Sequence, residues 1–262
     1  MRETLQDISR SDDDQSLSKA GEPVQPAPKG ASEILSDYSE IKFQMSEFAR
    51  SMNRGPLNTL IADHPRDEGI SPDEFNMGLV PLVHKPDHGR YVNDERFGGR
   101  VYLDGEYGFA LACTPPTTSY PRLIAAVSFL GRDQLENYFD KLDPLKEIPE
   151  DMPDGIVIVQ IQGPSREIMY NGISGLHESS LSVIRRFNYQ QVLVESSIAF
   201  ADQIGIKDIG ILAASRNRNR TLPSSRAGFS ASVDQLRPHY DLTAKRMGFT
   251  MQKDGIHRLK LG

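Results

Sequence analysis

The stretch that decides the fold is residues 184–214, IRRFNYQQVLVESSIAFADQIGIKDIGILAA, taken with residues 155–161, GIVIVQI, upstream of it. The upstream segment is seven residues long, almost wholly apolar and rich in β-branched side chains. It is followed by Gly163 and Pro164, which reads as a strand buried on both faces. Residues 184–204 carry a long amphipathic helical pattern closed by Gly205, the residue best suited to the left-handed position after a helix. Residues 206–214 form another apolar run. Strand, loop over residues 166–182, long helix and strand in that order make a βαβ crossover, which implies two parallel strands with the helix laid across one face.

Outward from this core the pattern changes. Residues 123–130 form a continuous apolar run bounded by Pro121 and Gly131, a further buried strand, followed by a predicted helix over residues 133–142. Earlier, residues 100–103 and 107–113 are strand-like and flank Asp104-Gly105, a dipeptide that signals a tight hairpin. A helix is predicted over residues 32–53 with Ser32 as its cap, whereas residues 57–95 read as irregular connection apart from a short helix start at Ser71. Downstream, a helix over residues 233–247 stops at Gly248, and residues 249–261 read as a terminal strand or hairpin turning at Asp254-Gly255. The first thirty residues are rich in Ser, Asp, Gln and Pro and too poor in apolar groups to offset their ordering entropy. The expected organisation is a disordered tail over residues 1–31 and one mixed α/β domain over residues 32–262.

Composition narrows the function classes. The longest apolar runs fit strands, so no membrane span is expected, and the polar, acidic start lacks an apolar leader core, which points to a cytoplasmic location. Cys113 is the only cysteine and sits among apolar residues, which marks it as a buried small side chain. A net charge of −6 does not support nucleic-acid binding, although Arg216, Arg218, Arg220 and Arg226 occur without an acid between them and offer one basic loop. The six histidines include no pair with zinc-ligand spacing, since Pro86 opposes a helix between His84 and His88. No serine-hydrolase elbow or phosphate-binding loop motif is present.

The order of elements, an antiparallel meander followed by a βαβ crossover, another helix and a closing strand, resembles that of the GNAT-type N-acyltransferases. The C-terminal residues carry the likeness: residues 240–249, YDLTAKRMGF, resemble the family's final helix breaking at Gly-Phe into its last strand. Residues 207–212, KDIGIL, look like its fifth strand, with Asn217 or Asn219 where an Asn is frequent. The likeness covers residues 154–261 well and 100–130 loosely. It implies an α/β (α+β mixed-sheet) GNAT-like fold and transfer of an acyl group from acetyl-CoA or another acyl-CoA to an amine of a small molecule or peptide. It also implies a pyrophosphate site at the N-terminus of the long helix. The family's glycine signature is not present in order: Gln162 and Gly163 follow the strand directly, and Gly172 and Gly175 come later. The family's acid, a Tyr four residues before the Gly of Gly-Phe, is Ala244 here, so Tyr240 is the substitute one turn earlier. Glu178 and His177, then Glu106 and Glu167, are the candidate bases. A non-catalytic binding or structural module on the same fold is the alternative, and the acceptor and oligomeric state are not encoded in any motif.

Overall fold

The computed structural model describes residues 30–66, 76–84, 91–94, 99–114, 121–140, 152–163, 187–217 and 232–262. Residues 1–29 of the expected tail, the Ser71 helix start and the loop over residues 166–182 lie outside them, whereas Ala31, the last residue assigned to the tail, opens the first helix and is buried.

The described residues open with α1 (Ala31–Ser36), α2 (Tyr38–Met52) and α3 (Pro56–Asp63), followed by β1 (Met77–Val83), β2 (Tyr91–Asp94), β3 (Gly99–Tyr102), β4 (Tyr107–Cys113), β5 (Arg122–Gly131) and α4 (Arg132–Asp140). Then come β6 (Ile156–Gln162), α5 (Tyr189–Gln203), β7 (Asp208–Leu212), α6 (Val233–Leu236), α7 (Asp241–Arg246), β8 (Thr250–Met251) and β9 (Ile256–Lys260). Seven strands form one mixed sheet in the order β1-β4-β5-β6-β7-β9-β8, and β2-β3 form a separate ribbon. Among the described residues only β6 and β7 pair in parallel; every other neighbouring pair is antiparallel. The crossover read from residues 155–214 is therefore present, and so is the closing hairpin at Asp254-Gly255, with Gly255 at φ 76°.

The layers follow from strand alternation. On one face Ile156 and Ile158 join the main core under α2, α3 and α5, where Phe48, Phe109, Phe129 and Phe200 meet with ring centroids 5.3–6.3 Å apart. On the other face Val157 and Val159 pack with Leu135 and Tyr138 of α4 and with Leu212 and Ile256. Helix α5 is anchored by the buried side of its amphipathic pattern, Val192, Leu193, Phe200 and Ala201 among it. Its buried Ser196 and Ser197 return their hydroxyls to the carbonyls one turn back.

Four sequence expectations are revised. The helix over residues 32–53 is two helices, because the Asp37 carboxylate accepts from the Ser39 and Glu40 amides and caps a fresh start; Ser32 instead donates to Asp154. The helix over residues 233–247 is likewise α6 and α7, split at residues 237–240, where Pro238 has no amide to extend α6. Residues 57–95 hold α3, β1 and β2. Lastly, Asp104-Gly105 does not join paired strands: β3 pairs with β2, whereas β4 lies between β1 and β5, two partners that bury it on every residue.

The outer edge of β1 is occupied. The Asn53 side chain accepts from the Leu79 amide at 2.6 Å and donates to the Leu79 carbonyl at 3.0 Å, and Pro81 two residues on has no amide to offer.

Candidate active site

Two parallel strands that part company frame the site. At the start of β6, Gly155 allows close approach: a Cβ there would sit 2.2 Å from the Asp208 carbonyl oxygen. Pairing then holds for Ile156–Ile209, Val157–Gly210 and Ile158–Ile211, and stops. On the other side β6 stays paired to β5 up to Gln162, but the register steps from Phe129–Ile158 to Ser128–Gln160, leaving Val159 as an extra residue. Such a bulge bends its strand and increases its twist, here where β6 leaves β7.

The backbone groups freed in this fork are held by side chains. Tyr240 accepts from the Ile161 amide at 3.1 Å, and Asn217 donates to the Val159 carbonyl at 3.4 Å; the two side chains also hydrogen-bond each other. Both residues are 1% exposed. Burial pushes the Tyr240 phenol well above its ordinary range and outweighs the opposing hydrogen bond from Ile161, so the hydroxyl keeps its proton at any working pH.

Beyond the fork, Gly163 ends β6 against the ring of Tyr189: a Cβ there would lie 1.9 Å from the Tyr189 hydroxyl. That hydroxyl lies 3.3 Å from Nδ1 of His239, which is also 3.2 Å from Nε2 of Gln190. Burial, then the nearby Arg66 charge, lowers the His239 pKa, which favours the neutral ring. Next to this cluster the N-terminus of α5 opens into a cleft of about 520 Å³. It is lined by Arg66, Asn188, Gln190, Gln191, Thr243 and Arg246. Arg66 is fixed there, with Nε donating to Asn188 at 2.7 Å and Nη2 to Gln190 at 3.1 Å. Two guanidinium groups beside a helix N-terminus make the cleft suited to anions despite the chain's negative net charge.

Of the residues singled out in the sequence, Tyr240, Asn217, Gln162 and Gly163 come together around the end of β6. Gly172, Gly175, His177, Glu178, Glu167 and Asn219 lie outside the described residues. Glu106 belongs to the other end of the sheet: its carboxylate accepts from Gln134 at the start of α4, and burial raises its pKa. Ala244 is buried. Cys113 is buried as expected, and burial raises its thiol pKa. Arg216 of the basic loop donates to the Asp254 carbonyl, while Arg218, Arg220 and Arg226 are outside the described residues. Arg66, Tyr189 and His239 were missed by motif reading; Arg66 lies in a region without periodicity, and nothing in sequence spacing brings residues 66, 189 and 239 together. Among the described residues there is no group of three metal-ligating side chains and no helix long and apolar enough to cross a membrane.

No family model, curated protein or solved structure matches the chain.

The buried phenols set an alkaline limit on stability. Tyr107 and Tyr189 are pushed up to about 12, both chiefly by burial, and Tyr240 is raised further. In the unfolded chain each loses its proton near pH 10, so the folded state binds more protons above that pH and its advantage falls. The stability that Tyr107 and Tyr189 contribute is complete below pH 10 and is lost progressively up to about pH 12, at up to ~1.4 kcal/mol per pH unit for each phenol, and the loss from Tyr240 continues beyond that. In an ultraviolet titration these three of the nine tyrosines should ionise only as the fold is lost; nine phenols titrating together near pH 10 with the fold intact would contradict their burial.

Proposed function

We propose that the protein is an acyl-CoA-dependent N-acyltransferase, with acetyl-CoA the first donor to test, built on a GNAT-like fold. The observation that carries this reading is the fork: β6 and β7 run parallel for three residue pairs and separate beside a bulge, and the gap leads past Gly163 into the basic cleft at the head of α5. The strand order, with β9 between β7 and β8, supports the same reading.

The residues present fit such a donor. Arg66, Arg246 and the first turn of α5 suit a pyrophosphate, whereas the Tyr189 ring fills the space beside Gly163 and has to turn aside to admit the narrow pantetheine arm at the end of β6. The donor supplies an activated thioester. Tyr240 holds a proton at its hydroxyl oxygen for a departing thiolate, and the Ile161 amide fixes where that oxygen sits. Asn217 orients Tyr240 from the second side. Burial of the fork keeps water from competing with an amine for the acyl carbon.

A second reading has an observation of its own. Tyr240 and Asn217 already satisfy the backbone groups of β6 that an inserted ligand would use, which is how a non-catalytic module would seal the same gap. Acetyl-CoA binding separates the two. A ligand at about 100 times its dissociation constant stabilises the fold by ~2.7 kcal/mol, which for a chain of this size raises Tm by about 5–10 °C. That rise is expected in a thermal melt with acetyl-CoA; an unchanged Tm at millimolar acetyl-CoA leaves the sealed module as the reading.

A further inference from the structure

Tyr189 is the first residue of α5, and it turns away from the cleft that its chain neighbours line. Asn188 and Gln190 face the cleft, whereas Tyr189 is 5% exposed and its ring lies against Gly163 at the end of β6. The fit is close: a Cβ on residue 163 would sit 1.9 Å from the Tyr189 hydroxyl and 2.5 Å from Cζ. Gly163 is not in the left-handed region, so room for this ring, and not backbone conformation, calls for glycine there. The Tyr189 hydroxyl is also within electrostatic reach of Tyr240, whose phenol a charge on Tyr189 would raise further. The ring therefore occupies the passage from the basic cleft to the buried hydroxyl of the fork.

Its seat is close but lightly fastened. The Gln190 amide can only donate, so Nδ1 of His239, 3.2 Å away, is the bare nitrogen of a neutral imidazole, and the Tyr189 hydroxyl donates to it as a second partner. At 3.3 Å that bond is long for a hydroxyl donor, which ordinarily approaches to about 2.7–2.8 Å. Rotation of the side chain off Gly163 gives up this long bond and leaves Nδ1 of His239 still satisfied by Gln190. On the other side, the Cβ position that Gly163 leaves empty puts no side chain against the ring to trap it.

We propose that Tyr189 is the specificity-determining gate of the fork. The anionic end of a donor docks against Arg66, Arg246 and the first turn of α5 while the ring is still seated, and a thin arm trailing from it then displaces the ring from Gly163. The inference rests on the acyl-CoA reading and adds to it an order of binding and a class that is turned away. Phosphates and pyrophosphates without an arm occupy the cleft, leave the ring in place and do not reach Tyr240.

The test uses the full chain with acetyl-CoA and inorganic pyrophosphate as probes. In labelled wild-type protein a nuclear Overhauser contact between the Gly163 α-protons and the Tyr189 ring should be present in the free state, persist with millimolar pyrophosphate and disappear at saturating acetyl-CoA. A gate that is closed most of the time lowers apparent affinity by the fraction that is open, so Tyr189→Ala should bind acetyl-CoA about tenfold more tightly in a calorimetric titration. A Gly163–Tyr189 contact that survives while acetyl-CoA raises Tm overturns the gate, and it does so on wild type, whether or not the variant folds. An acetyl-CoA affinity in Tyr189→Ala within about twofold of wild type overturns it as well; in both cases the donor reading stands alone. Wild type that acetyl-CoA does not stabilise loses the donor reading and the gate with it.

Discussion

Phe200→Ala is expected to lower the free energy of unfolding by about 3–5 kcal/mol, the range for emptying a large aromatic site in a packed core. Phe200 is fully buried on α5, and its ring meets those of Phe109 at 5.3 Å, Phe48 at 5.4 Å and Phe129 at 6.3 Å. It therefore ties the crossover helix both to the sheet and to α2. Urea denaturation followed by circular dichroism measures the loss. Phe43→Ala is the control: Phe43 is 60% exposed on α2, so its removal should change stability by no more than ~0.5 kcal/mol. A loss below about 1 kcal/mol at Phe200 would mean that α5 is not seated on the aromatic cluster.

Tyr240→Phe is expected to reduce kcat for acetyl transfer by about 100-fold or more, with KM for acetyl-CoA changed by no more than a few-fold. The ring remains to fill the fork, so packing is preserved. What is lost is the hydroxyl that accepts from the Ile161 amide and carries a transferable proton. Leaving that amide without its acceptor costs about 1–3 kcal/mol of stability, a change readable in the same urea experiment. Steady-state thiol release separates the two consequences, because a loss confined to stability with kcat intact would assign Tyr240 to sealing the sheet and not to chemistry.

The parts of the fold that could be read in the sequence are those whose local pattern and tertiary role agree. The run over residues 155–161 is apolar because both faces of β6 are covered, and Gly205 follows α5 at φ 82° because a left-handed residue ends the helix there. Elsewhere tertiary context overrode the local signal. Asp104-Gly105 has hairpin chemistry, yet β1 and β5 claim β4, and the backbone amides of the turn go to Gln160 and Ser128 instead. β1 escaped notice because Pro81 and Gly78 break its strand pattern, features that an edge strand tolerates and a central one does not. Tyr240, Asn217 and Gly163 were reachable because chain order puts them just past strand or helix ends. Arg66 and His239 were not, since they meet α5 only after α3 and α7 have packed beside it.

The Asn53 amide on Leu79 also bears on how molecules of this protein meet one another. A bare sheet margin is a template on which another polypeptide can add a ribbon and start a growing stack. Here the incoming chain would first have to strip a two-point contact from Leu79 and then pass Pro81, which returns no amide for the donor it would need. One border of the sheet is thereby closed to self-templated polymerisation, by a single side chain that α2 delivers from its C-terminal end.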